Sequence, residues 1–168
     1  MKKRCATSRS EILDELRSWL SNARRVVIAG VGNPLRRDDF VGVHIVRKLR
    51  DKVSRSVYLI ECETVPESFI EPITEFKPSH ILIIDAALLN QKPGSSKLIE
   101  PGQMAVVPPI STHALPLQIF CEYLASTLEA KIALLVVQPG DASFGEGLTE
   151  EVEKTAEYLT NLLSKILP

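Results

Sequence analysis

Four side chains in this 168-residue chain are of types that could do chemistry together: Asp38, Asp39, Asp85 and His113. Two carboxylates and an imidazole can bind a divalent transition metal with positions left open, or work as acid and base. Asp39, Asp85 and His113 each lie at or just beyond the C-terminal end of a predicted strand, or at a helix entrance. In a parallel sheet those strand ends share one edge, where ligands bind, so the three side chains can converge. Plainer readings stand beside this. A lone Asp39 suits a helix cap or a first-turn acid. Asp38, its neighbour, is expected to point the other way and to accept hydrogen bonds from its own turn's backbone N–H groups. His113 reads as a loop histidine. Asp85 is harder to set aside, because nothing in the run Ile81-Leu82-Ile83-Ile84 needs a carboxylate at its end.

Other chemistry-bearing residues fall away. His80 begins the strand that Asp85 ends, roughly 16 Å away at about 3.3 Å per residue, and is excluded from the site. His44 faces away from its helix's apolar stripe and is read as solvated. Arg47, Lys48 and Arg50 read as a charged solvent face, or at most part of a docking surface. Gly30-Val31-Gly32 hints at nucleotide binding, with Glu61 or Glu63 as a ribose-binding acid, but the third glycine position is Leu35. Asp38 and Asp39 would also repel a pyrophosphate, so both glycines read as a tight strand-to-loop turn. There is no G-x-S-x-G nucleophile elbow and no H-E-x-x-H zinc helix. Cys5, Cys62 and Cys121 are odd in number and far apart, which suits reduced thiols in a cytoplasmic protein, with Cys62 and Cys121 buried.

The elements that must position the acids follow from periodicity. Ser8-Arg9-Ser10-Glu11 has capping-box spacing, and Ile12, Leu16, Trp19, Leu20 and Ala23 recur at helical spacing. This predicts an N-terminal helix over 8–23, added to a core spanning 26–167. Val26-Val27-Ile28-Ala29 predicts a buried strand, broken by the glycines and Asn33-Pro34. A helix is expected from about Phe40, with Val41, Ile45 and Leu49 on its apolar face. A second strand is expected over 56–62. A helix starting at Thr64-Val65-Pro66-Glu67 follows, with a kink or break at Pro72. The continuous apolar run ending at Asp85 suits a central strand covered on both faces. Lys97–Ile99 predicts a short edge strand, 101–110 an irregular Pro-rich segment, and 115–128 a helix. The last strand is expected at 132–137, then a loop with three glycines, then a helix from Thr149. Strands alternating with helices give an α/β sandwich with a mostly parallel sheet.

The chain length predicts one domain, 1–168, able to bury a core without staples. A formal net charge of -1 argues against a nucleic-acid binder. Met1-Lys2-Lys3-Arg4 is basic, but no apolar run follows, so no signal peptide is expected. No stretch approaches the roughly 20 apolar residues of a membrane span. A monomer is the default expectation.

The residues around the acids also resemble a known family. Gly30-Val31-Gly32-Asn33-Pro34-Leu35-Arg36-Arg37-Asp38-Asp39 with Gly42 is similar to the G-x-G-N-x-[LM]-x-x-D-[DE]-x-x-G signature of the [NiFe]-hydrogenase maturation endopeptidases. Ile83-Ile84-Asp85-Ala86 resembles that family's second motif, and Ser111-Thr112-His113-Ala114-Leu115-Pro116-Leu117 its third. The hydrogenase-3 (formate hydrogenlyase) type is the branch it looks most like. The chain departs from the pattern at Phe40, where many members carry Gly, and in its N-terminal helix. The resemblance implies a three-layer αβα sandwich on a mixed five-stranded sheet, order 2-1-3-5-4, with the fourth strand antiparallel. It implies removal of a C-terminal peptide from the hydrogenase large-subunit precursor after nickel insertion. The metal-binding residues it implies are Asp39, Asp85 and His113, with nickel supplied by the precursor and no organic cofactor. Asp38 is then a further catalytic candidate, as a base. The alternatives are a non-catalytic escort of the nickel-loaded precursor, which uses the same three ligands, and a small nucleotide-binding module.

Overall fold

The computed structural model describes residues 9–104 and 114–168. The predicted Ser8 cap, Cys5, most of the Pro-rich segment and His113 lie outside the described residues. Five strands form one sheet: β1 (Val26–Val31), β2 (Val57–Glu63), β3 (His80–Ala86), β4 (Ser96–Ile99) and β5 (Lys131–Val137). Their order is β2-β1-β3-β5-β4. The first four in that order run parallel, and β4 pairs antiparallel with β5 at the edge. The helices are α1 (Arg9–Trp19), α2 (Val41–Leu49), α3 (Ile70–Phe76), α4 (Pro101–Met104), α5 (Ala114–Thr127) and α6 (Glu150–Ile166). No helix among the described residues is long and apolar enough to cross a membrane.

Strand alternation sorts the core into two halves. Val26, Ile28, Leu82, Ile84, Ala133 and Leu135 pack with α1, α2 and α6 on one face of the sheet. Val27, Ala29, Ile81, Ile83, Ile132 and Leu134 pack with Ile73 of α3 and Leu117, Phe120 and Leu124 of α5 on the other. The result is three layers, and every residue of β1 and β3 is buried. Burying a Leu or Ile side chain gives about 1.5–3 kcal/mol, which explains why these runs are apolar without alternation. The N-terminal helix is part of this core: Ile12, Leu16 and Trp19 are buried in the same cluster as Leu159 and Leu163 of α6. Tyr158 Oη ties it down further by donating to the Arg9 carbonyl at 2.6 Å.

Local departures from the sequence reading have physical causes. The break expected at Pro72 does not occur. A 3-10 turn over Pro66–Phe69 leads into α3 at Ile70, so Pro72 falls in the first helical turn, where a missing N–H costs nothing. The helix expected from about Phe40 is likewise preceded by a 3-10 turn over Arg37–Phe40.

The topology fixes where a site can lie. From β1 the chain crosses to β2 on one side, then returns to β3 on the other side of β1. Beyond the C-terminal ends of β1 and β3 this reversal opens the crevice in which α/β sheets bind ligands.

Candidate active site

Asp39 and Asp85 flank that crevice. Asp85 is one residue beyond the Gly30–Ile84 pair of β1 and β3, and is 1% exposed in a strand otherwise lined with Ile and Leu. Its Oδ1 accepts a hydrogen bond from the Ala86 N–H at 2.8 Å. Asp39 lies in the 3-10 turn that packs back against β3. Glycines make that packing possible. A Cβ on Gly42 would sit 2.0 Å from the Ile84 carbonyl oxygen and 2.5 Å from that of Val31. Gly42, three residues after Asp39, therefore lies directly on the residue before Asp85. At Gly32 (φ +143°) a Cβ would meet the Asp39 carbonyl at 1.8 Å, so only glycine allows the turn to close. The G-x-G pair thus serves the seating of α2 and the acidic turn on the strand. Of the two acids offered as imitating a ribose-binding group, Glu61 and Glu63, Glu61 is held by Arg47 and Arg50.

The two neighbouring acids have separate partners. Asp39 Oδ2 accepts from the Asn33 N–H at 2.9 Å, and Asn33 Oδ1 accepts from the Leu35 N–H at 2.9 Å. Asn33 thereby orients the carboxylate and shapes the loop before it. Asp38 is wholly buried. Its Oδ2 accepts from the N–H groups of Gly140 (2.8 Å) and Asp141 (2.9 Å) and from Thr149 Oγ1 (2.8 Å), and its Oδ1 accepts from the Thr149 N–H (2.7 Å). The donors expected from Asp38's own turn are replaced by donors more than 100 residues away. The reason lies in the backbone. Arg37 sits in the left-handed region (φ 39°), which turns Asp38 toward the loop between β5 and α6. That conformation is braced by Arg37 N–H to the Gly145 carbonyl (3.0 Å), Gly145 N–H to the Leu35 carbonyl (2.8 Å) and Arg36 Nε to the Ala142 carbonyl (3.1 Å).

A second brace was not foreseen. Gln138, buried at the end of β5, accepts through Oε1 from the Leu89 N–H at 2.6 Å and donates through Nε2 to the Pro139 carbonyl at 3.0 Å. Its N–H and carbonyl bond Ser95 and Gly94, which fixes the loop after Asp85. The signal was present: a polar residue closing an apolar strand, the same anomaly that marked Asp85.

His113 lies outside the described residues, and among those residues no three His, Cys, Asp or Glu side chains form a metal-holding group. His80 is buried beside Trp19, with ring centroids 5.0 Å apart, and its Nδ1 is hydrogen-bonded to Ser79 Oγ at 3.0 Å. It sits at the far end of β3 from Asp85. The solvated reading of His44 is corrected: its Nε2 lies 3.2 Å from Glu153 Oε1, and its ring packs edge-on against Phe40. Arg47, Lys48 and Arg50 are exposed as read, and Arg47 of α2 and Arg50 just after it pair with Glu61 of β2. Burial pushes the thiols of Cys62 and Cys121 up to about 12, helped by Glu67 and Glu122 respectively, so neither is an activated nucleophile.

The chain and its fold have counterparts among known proteins. A family model described as HycI, hydrogenase maturation protease, matches residues 43–166, and the chain belongs to that family of endopeptidases. Among its relatives, one from Methanocaldococcus jannaschii assigned to the hydrogenase maturation proteases is 37% identical over 156 residues, covering 88% of this chain and 91% of that one. The hydrogenase 3 maturation protease of Escherichia coli K12 is 27% identical over 131 residues, 78% of this chain and 83% of that protein. The crystal structure of the [NiFe] hydrogenase maturation protease HycI from Thermococcus kodakarensis matches with a TM-score of 0.83 at 32% identity, over 91% of this chain and 98% of that chain.

Proposed function

We propose that this endopeptidase removes a C-terminal peptide from a [NiFe]-hydrogenase large-subunit precursor after nickel insertion, and that Asp39, Asp85 and His113 recognise the nickel. The observation that carries the reading is the pair of buried carboxylates, Asp39 and Asp85, at the β1/β3 switch point of a hydrogenase maturation protease. Two carboxylates with an imidazole suit a transition metal that keeps open positions. A structural site would be closed by four ligands. The nickel is cargo of the substrate. Its binding would hold the precursor so that the adjoining peptide bond lies over the sheet edge, where orientation lowers the barrier to cleavage. Asp38 is proposed as a positioning residue, since its carboxylate already accepts four hydrogen bonds, which suits bracing better than acting as base.

The test is the intact mass of a large-subunit precursor before and after incubation with this protein, nickel-loaded and nickel-free in parallel. Loss of a C-terminal peptide from the loaded form alone is expected. Cleavage of both forms would remove the role given to the three ligands. Co-elution of the two proteins with no mass change would favour the escort.

A further inference from the structure

Six large apolar side chains are exposed among the described residues, and four of them lie on the loops that follow the four parallel strands. Leu35 (49% exposed) follows β1, Val65 (44%) follows β2, Leu88 (51%) follows β3 and Phe144 (82%) follows β5. All four loops leave the sheet at the edge where Asp39 and Asp85 are buried. The other two, Ile119 and Tyr123, are on α5. Scattered apolar residues on a surface need no explanation, but four of six on the loops of one sheet edge do.

Phe144 is presented rigidly. The Ser143 N–H donates to Asp141 Oδ1 at 2.8 Å, and the Ala142 carbonyl accepts from Arg36 Nε. On its other side Gly145 exchanges backbone hydrogen bonds with Leu35 and Arg37. The chain is fixed before and after Phe144 while its ring stands in solvent. An aromatic side chain with a held backbone loses little freedom on binding, which is what interface anchors require. The same bonds join it to the acids: Leu35 is linked through Asn33 to Asp39, and Asp141 to Asp38.

We infer that Phe144 and Leu35 are the principal anchors of an apolar docking rim for the protein substrate, with Val65 and Leu88 completing it. The occupant is an apolar surface on the folded precursor beside the segment to be cut. This rests on the reading given under Proposed function. A second copy of this chain is disfavoured as occupant because, seated on the rim, it would cover the carboxylates that the substrate has to reach. Binding through the rim is made equally in the ground state and in the transition state, so losing it raises KM and leaves kcat unchanged.

The test measures binding of the large-subunit precursor to the full chain by titration, alongside cleavage of the nickel-loaded form. Phe144→Ser is expected to weaken binding and raise KM about 10-fold or more, with kcat and melting temperature retained, and Phe144→Leu to recover most of the loss. Tyr123→Ser, on α5, is expected to behave as the unsubstituted protein. Unchanged binding by a Phe144→Ser/Leu35→Ser double variant would overturn the inference, as would no binding by the unsubstituted chain. A dimer in solution that Phe144→Ser dissolves would also overturn it. An unsubstituted chain that binds through Phe144 but does not cleave would instead defeat the proposed function and leave the rim intact.

Discussion

A buried carboxylate with four donors is a structural commitment as strong as a small core cluster. Asp38→Ala would leave the N–H groups of Gly140, Asp141 and Thr149 without their acceptor. Losing hydrogen bonds to a charged group and stranding their donors costs about 2–4 kcal/mol. Thermal unfolding should shift down by roughly 5–15 °C, since about 2–4 °C accompany each kcal/mol at this chain length. Asp39→Asn is expected to behave in the opposite way. The amide oxygen can still accept from Asn33, so the melting temperature should move little, while precursor processing falls on the order of 100-fold. Melting and cleavage measured on both variants separate bracing from chemistry. At this scale the sequence drew attention to Asp85 because a carboxylate interrupts an apolar strand, and to Asp39 only through its place after the glycine turn at a helix entrance, where an acid is also ordinary. It did not show Asp38's partners, because hydrogen bonds across more than 100 residues leave no local periodicity.

Helix α2 illustrates how an element is placed as well as formed. Its apolar face, Val41, Ile45 and Leu49, was readable from spacing, and all three are buried. Its close seating on the sheet depends on Gly42, whose missing side chain lets the helix touch the carbonyls of Val31 and Ile84. Gly42→Ala would drive a Cβ into two backbone carbonyls and force the helix off the sheet, and overpacking of this kind typically costs about 1–3 kcal/mol or more. A lower denaturant midpoint with displaced acids, and hence reduced cleavage, is the expected outcome. Gly102→Ala, where a Cβ would meet nothing within 4 Å, should leave both unchanged. The motif made Gly42 noticeable, yet its reason is a three-dimensional contact that periodicity cannot express. Pro72 teaches the converse: the residue was read correctly as unable to donate, but its harm depends on where the helix begins, and a 3-10 turn moved that start to Ile70.

The layers of the whole molecule followed from the alternation of apolar runs with amphipathic stretches. The order 2-1-3-5-4 did not, since nothing local distinguishes a strand's neighbours; it entered with the resemblance to hydrogenase maturation endopeptidases and is the order found. Global stability carries one titration of its own. Burial, aided by the charge of Lys131, lowers the pKa of His80 below its ordinary 6.5, despite a partly opposing influence of the nearby Trp19 backbone. The unfolded chain therefore takes up the proton first as pH falls. The stabilisation is full above about pH 6.5 and is lost as pH falls from there through the folded-state value. Melting temperature is expected to drop between pH 7.5 and 5, and to drop less in His80→Gln, where no proton is taken up.

The brace from Asp38 to Thr149 also orders events in time. A chain emerging from the ribosome exposes β1, its two glycines and both neighbouring acids early, long before Gly140, Asp141 and Thr149 exist to hold them. Strand β5, which sits between β3 and β4, comes late as well. Domains generally fold as units during synthesis, and here the brace on the acidic turn cannot form until Thr149, just before α6, has been translated. On the function proposed above, a nascent protease of this design stays blunt while it is being made.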